Sequence, residues 1–185
     1  GSEMCIRDRS ESEGMNLDKN LKRFIFSRNS WCASSTHNYE EEICGKTHLL
    51  LIKKYKKLLT IIIPRHINRV SSIKDQLIKM NLNVHLDEPK KKINPNTDVY
   101  LVNSYGKTKS FYKVCKNVFL GGSLIKHGGQ NPLEAARYGC NIMHGPNISN
   151  FKEIYEFLKK KDVTNKIIDQ KPVSYTHLTL PTTYH

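Results

Sequence analysis

Asn117-Val118-Phe119-Leu120 runs into Gly121-Gly122-Ser123, and Gly128-Gly129-Gln130-Asn131 runs into Pro132-Leu133-Glu134-Ala135-Ala136. The first half reads as an apolar strand ending at a glycine turn, the second as a glycine turn opening a helix. Four glycines strip side chains from the two turns, so backbone N–H groups can approach a bound group closely. Pro132 suits the start of a helix, where partial positive charge favours a phosphate. Glu134 falls in that first turn, where its carboxylate can accept hydrogen bonds from two sugar hydroxyls. The combination points to a nucleotide-sugar site. The competing reading is that the glycines only shape a tight strand-to-helix turn. The dinucleotide fingerprint GxGxxG is absent, which argues against hydride transfer.

The same alternation extends to either side. Residues 30–34 read as a buried first strand closed by the polar turn Ser35-Thr36-His37. A helix over 39–55 follows, with Glu40, Glu41 and Glu42 at its start and lysines at its end, as the macrodipole prefers. Residues 58–63 form a continuous run stopped by Pro64, the mark of a central parallel strand. An amphipathic helix over 68–80, strands at 83–86 and 98–102, and a helix over 109–116 precede the glycine stretch. After it come a helix at 132–138, a strand at 141–144 ended by Gly145-Pro146, and a helix over 151–160. Such alternation predicts an α/β fold: a parallel sheet of about six strands with helices on both faces. Ligands bind beyond the carboxyl ends of such strands, and the loops at 34–37, 64–66, 104–107, 121–131 and 145–147 all fall there.

The 185 residues suffice for one domain with a real core, and no run approaches the ~18–20 apolar residues of a spanning helix. The five cysteines are scattered without a CxxC pair, which indicates neither a disulfide framework nor a zinc site and fits a reducing compartment. A formal charge of +13 raises nucleic acid, acidic membrane surfaces and anionic substrates as partners. The lysines, however, fall in short clusters such as Lys90-Lys91-Lys92, which read as solvated faces.

Residues 1–14 and 173–185 share none of this periodicity. Met4-Cys5-Ile6-Arg7-Asp8-Arg9 and Val173-Ser174-Tyr175-Thr176-His177-Leu178 resemble translated sequencing-adaptor sequence, and Gly1-Ser2 a tag-cleavage scar. The domain is expected over 15–172, with a natural protein that extends past both ends. Ordinary tails are the other reading, and neither gives these residues any chemistry.

The loops together resemble the carboxyl-terminal half of the bacterial 3-deoxy-D-manno-octulosonic acid (Kdo) transferases of lipid A assembly. The resemblance rests on Ala33-Ser34-Ser35-Thr36-His37, on Pro64-Arg65-His66-Ile67-Asn68-Arg69 and on Ser104-Tyr105-Gly106. It continues through Gly121-Gly122-Ser123-Leu124, Gly128-Gly129-Gln130-Asn131-Pro132-Leu133-Glu134 and Gly145-Pro146-Asn147, spanning about 28–169 in the family's order. It implies one Rossmann-like half of a GT-B glycosyltransferase, the half that binds the donor. That family transfers Kdo from CMP-Kdo to a lipid A precursor (lipid IVA), with inversion and without a bound metal or other cofactor. It works as a peripheral protein at the cytoplasmic face of the inner membrane. Its catalytic base lies in an amino-terminal domain outside this chain, so no catalytic residue is expected here and the chain alone should be inactive.

The resemblance also assigns residues. Pro64 and Arg65 match the family's cytidine and phosphate contacts, and an Arg after a strand-ending Pro is a good phosphate partner in its own right. Asn131, Pro132, Leu133 and Glu134 match its last CMP segment, with Glu134 on the ribose. Tyr105, Gly106 and Lys107 occupy the middle contact, where Met-Gly-Glu is common in the family; Lys107 in place of Glu puts a side-chain role there in doubt. Gly121, Gly122, Ser123, Gly128 and Gly129 would support the donor. Thr36 would either help bind it or cap a helix. His37 and His66 read as structural hydrogen-bonders rather than as a general base, with His37 also a candidate support for the donor, and Arg69 reads as an anion partner or a surface charge. Tyr105 either stacks on the base or packs beneath the sheet.

Two rival functions remain. A GT-B donor domain for a UDP-sugar would prefer UMP to CMP. A basic nucleic-acid-binding module would show steeply salt-dependent oligonucleotide binding, but neither an RNP-like aromatic pattern nor a zinc knuckle supports it. A truncated domain that folds poorly and does nothing is the third outcome.

Overall fold

The computed structural model describes residues 16–88 and 91–167; the end segments 1–14 and 173–185 lie outside them. Along the chain run α1 (Lys19–Phe26), β1 (Asn29–Thr36), α2 (Glu40–Leu51), β2 (Leu58–Pro64) and α3 (Val70–Lys79). Then come β3 (Val84–Leu86), β4 (Val99–Leu101), α4 (Thr108–Val114), β5 (Asn117–Leu120) and α5 (Leu133–Arg137). The last elements are β6 (Asn141–His144), α6 (Lys152–Lys160) and β7 (Thr164–Lys166).

Every neighbouring pair is parallel, in the order β3-β4-β2-β1-β5-β6-β7. β2 is buried along its whole length, as its unbroken apolar run requires of a strand covered on both faces. Alternate strand residues feed two cores. Leu59, Ile61, Ile63, Val118 and Leu120 join Leu21 and Ile25 of α1 and Phe111 of α4. Ile62, Ala33, Phe119 and Met143 join Leu51 of α2 and Ile73 and Leu77 of α3 on the opposite face. Each such fully buried side chain stabilises the fold by about 1.5–3 kcal/mol.

Among the described residues the sheet has seven strands, one more than the periodicity suggests. β7 is Thr164-Asn165-Lys166, with only Thr164 buried; its described partner is β6, and its polar composition carries no strand signal. Helix α1, absent from the sequence-based layout, packs Leu21 and Ile25 inward. Helix α2 ends at Leu51 rather than at Tyr55, which follows in turns.

The sheet order places a topological switch between β1 and β5. From β1 the chain builds β2, β3 and β4 to one side; from β5 it builds β6 and β7 to the other. A crevice therefore opens beyond the carboxyl ends of β1 and β5.

Candidate functional site

The loop after β5 crosses the loop after β1 at very close range. A Cβ on Gly121 would lie 2.3 Å from the Ser35 carbonyl oxygen and 2.8 Å from Thr36 Cα, so only glycine fits. The Gly121 amide donates to Ser34 O at 2.8 Å, extending the β1–β5 ladder into the crevice. Gly128 and Gly129 take φ values of +100° and +84°, which side chains rarely adopt, and let the loop turn back toward α5. Ser123, fully buried, braces the loop: its hydroxyl donates to Leu120 O at 2.6 Å and accepts from the Gly145 amide at 2.9 Å.

The Gly122 amide already has an acceptor inside the protein. Glu40 is completely buried at the start of α2, and its Oε1 accepts from the amides of Gly122 at 2.7 Å and His37 at 3.0 Å. Oε2 accepts from Leu124 N at 3.2 Å. Burial pushes the Glu40 carboxyl above the usual carboxylate range, and these amide bonds oppose the rise. Glu41, equally buried, accepts a bidentate pair from Arg69 at 2.9 and 3.1 Å and a hydrogen bond from Thr36 Oγ1 at 3.0 Å. Glu40 and Glu41 thus hold the three central loops together rather than facing solvent as helix-start charges, whereas Glu42 pairs with Lys46 on its own helix at 3.0 Å. Their signal is phase: Glu40 and Glu41 stand one turn before Cys44 and Gly45, on the face that also buries His48 and Leu51.

This network decides several side chains. Thr36 is a carboxylate partner within β1, not a helix cap, and Arg69 is committed to Glu41. Lys107 reaches away from the crevice to Asp87, at 2.6 Å, and Asp87 also accepts from the Tyr100 hydroxyl. Tyr105 is 63% exposed, so it does not pack beneath the sheet; its hydroxyl accepts from Ile67 N at 3.4 Å and ties the β4 loop to the β2 loop. Arg65 is exposed beside buried Pro64, its amide donating to Thr36 O at 2.9 Å. No carboxylate among the described residues lies within ion-pair distance of its guanidinium, in contrast to the Arg69 guanidinium and the Lys107 ammonium.

On the other side of the crevice, Asn131 Oδ1 accepts from Leu133 N at 3.0 Å and fixes the entry into α5 through Pro132. Glu134 lies in the first turn, its side chain 43% exposed, with Lys109 Nζ 3.5 Å from its carboxylate. Such a carboxylate is free to exchange a weak ion pair for ligand hydroxyls. Gly106, at φ +86°, stands in open space at the rim. His37 and His127 meet over Gly122, and His66 stands edge-on to His37; His37 is buried and the other two are exposed.

No group of three or more His, Cys, Asp or Glu side chains among the described residues is placed to hold a metal ion. Nor is any described helix long and apolar enough to cross a membrane. Cys32, Cys44, Cys115 and Cys140 are buried free thiols, burial pushing Cys115 up to about 12 and Cys140 to about 11.

No family model matches the chain. It is 39% identical over 128 residues to the 3-deoxy-D-manno-octulosonic acid transferase of Haemophilus influenzae, covering 69% of this chain and 30% of that protein. A probable mitochondrial 3-deoxy-D-manno-octulosonic acid transferase of Arabidopsis thaliana is 30% identical over 144 residues, 77% of this chain and 32% of the relative. The transferase of Aquifex aeolicus is 31% identical over 129 residues, 70% of this chain and 35% of the relative. The chain therefore spans about a third of the length of the curated relatives it matches. Among solved structures, the C-terminal CMP-Kdo binding domain of WaaA from Acinetobacter baumannii superposes with a TM-score of 0.74. The two share 28% identity, with 82% of this chain and 79% of that one covered.

Proposed function

Along the stretch it shares with them, the chain belongs with the 3-deoxy-D-manno-octulosonic acid transferases, and on that premise we propose that it binds CMP-Kdo as their carboxyl-terminal domain. The observation that carries this reading is the match to a solved CMP-Kdo binding domain over four-fifths of either chain. The crevice supplies suitable chemistry. Arg65, with no carboxylate partner among the described residues, is available for the phosphate, and Glu134 for the ribose hydroxyls. Pro64 walls the base, with Tyr105 and Gly106 at the rim and Asn131, Pro132 and Leu133 shaping the far side. The loop around Gly121, Gly122, Ser123, Gly128 and Gly129 shapes the crevice, held by the bonds of the Gly122 amide to Glu40, of the Gly121 amide to Ser34 O and of the Gly129 amide to Gly122 O.

Departure of CMP leaves charge on the phosphate, which Arg65 and the start of α5 are placed to stabilise. In the whole enzyme the acceptor is a lipid A precursor at the cytoplasmic face of the inner membrane. The base that activates it belongs to another domain, and no cofactor beyond the donor is called for. The chain alone then binds donor without transferring sugar.

Glu134→Ala tests the assignment: it should weaken CMP binding by about 1–3 kcal/mol, roughly 5- to 150-fold in Kd. Unchanged affinity in a folded variant removes Glu134 from the ribose. Measurable Kdo transfer by the chain alone would overturn the division of labour.

A further inference from the structure

Three imidazoles from three loops meet at the switch point. The His37 and His66 ring centroids lie 6.0 Å apart at 86°, and those of His37 and His127 4.3 Å apart at 45°. His37 follows β1, His66 follows β2 and His127 sits in the glycine loop after β5, so the cluster straddles the crevice mouth. His37 Nδ1 stands 3.1 Å from Ser35 O and 3.6 Å from Glu40 Oε1. Both are acceptors, so Nδ1 carries the hydrogen and Nε2 of the neutral ring presents a lone pair. That Nε2 is buried without a hydrogen-bond partner among the described residues.

A buried polar atom without a partner is costly, and a proton on Nε2 would turn it from an acceptor into a donor. The charges around the ring do not favour that proton until a ligand arrives. From α2, Glu40 and Glu41 face it, but the charge of Glu40 is shared among three amides and that of Glu41 is held by Arg69 and Thr36. The loop after β2 contributes His66 beside the fixed charge of Arg65, and the glycine loop contributes His127 beside Lys126. Burial and the neighbouring His127 hold the His37 imidazole below its ordinary pKa, keeping it neutral near pH 7. An anion docking on the exposed His66 and His127 supplies the missing negative charge.

We infer that the His37–His66–His127 cluster docks an anionic group of the donor and takes up a proton as that group arrives. His66 and His127 touch the anion, and His37 is a positioning residue behind them. The inference rests on the donor-binding reading and deepens it by assigning the charge-recognising end of the site. The anion is the nucleotide phosphate or the carboxylate of the sugar; both have the same claim on imidazolium donors.

The test is a pH titration of the histidine Cε1–H signals of the full chain by NMR, free and then saturated with CMP, with cytidine and with Kdo. His66→Gln and His127→Gln, both at exposed positions, assign their signals. Reading the imidazoles directly avoids the titration of the phosphate itself, which falls near pH 6. CMP or Kdo should raise the midpoint of at least one of the three imidazoles by about one unit, a tenfold linkage between proton and ligand. Cytidine should raise none. A rise with CMP alone assigns the phosphate, and a rise with Kdo alone assigns the carboxylate. CMP that perturbs other resonances, with all three midpoints unmoved by CMP and by Kdo, overturns the inference and leaves the donor reading standing. Cytidine shifting the midpoints as much as CMP also overturns it. Chemical shifts insensitive to CMP, cytidine and Kdo alike would sink the donor reading, and the inference with it.

Discussion

Replacing Glu40 by Ala should cost this domain a substantial part of its stability. The side chain is fully buried and accepts from the amides of His37, Gly122 and Leu124. Alanine strips His37 and Gly122 of a shared acceptor in a place water does not reach, at about 1–3 kcal/mol per amide. Part of this is offset, because the substitution also removes a carboxyl whose burial disfavours its charge. A net loss of ~3 kcal/mol is expected, a large share of the roughly 5–15 kcal/mol that holds a typical domain. With a urea slope of about 1–3 kcal/mol/M, the unfolding midpoint should fall by ~1–3 M. Glu40→Gln keeps one acceptor oxygen and should lose about half as much. The assay is equilibrium urea unfolding followed by far-ultraviolet circular dichroism. An Ala variant unfolding within about 0.2 M of the wild type, on the same slope, would refute the claim that this carboxylate organises the loops.

Arg69→Met leaves Glu41 buried with Thr36 as its remaining described partner and should cost about 3–5 kcal/mol, while the double variant with Glu41→Met should recover most of that; urea midpoints of the four proteins decide it. Gly121→Ala drives a Cβ into the backbone of Ser35 and Thr36 and should cost at least ~2–3 kcal/mol. Gly106→Ala meets no atom within 4 Å and should cost only the ~1–2 kcal/mol of a left-handed backbone; equal melting temperatures for the two would contradict the close crossing at Gly121. Acidification should destabilise the fold. His37, His48, His85 and His144 are all held below the ordinary imidazole pKa, burial leading in each case. The unfolded chain then binds more protons, so this stability is complete above pH ~6.5 and is lost as pH falls through the folded values. Glu40 acts in the opposite sense, its contribution present below the ordinary carboxylate pKa and lost as pH rises through its raised value. The urea midpoint should be lower at pH 5.5 than at pH 7.5; a rise would show that the imidazoles are not held neutral.

The parts of this fold visible in sequence are those whose signal is local. The run from Leu58 to Pro64 could only be a covered parallel strand, and it is buried throughout. The glycine loop, Pro64-Arg65 and the start of α5 fall where the strand ends put them. β7 was invisible because a short polar edge strand is defined by its neighbour β6 rather than by its own residues. The roles of Glu40 and Glu41 depend on partners far along the chain: Gly122 and Leu124 for one, Arg69 for the other. An acid at a helix start looks the same in sequence whether it faces water or a buried cradle of amides. Lys107 is the same kind of case, since nothing beside it in sequence announces that Asp87 will take its charge.

The most direct measurement is a calorimetric titration of the folded chain with CMP and, separately, with UMP. The account predicts saturable CMP binding, weaker UMP binding, and loss of the CMP signal in Arg65→Ala. Equal or stronger binding of UMP, or no CMP binding by a chain that melts cooperatively, would contradict the assignment of this domain to CMP-Kdo.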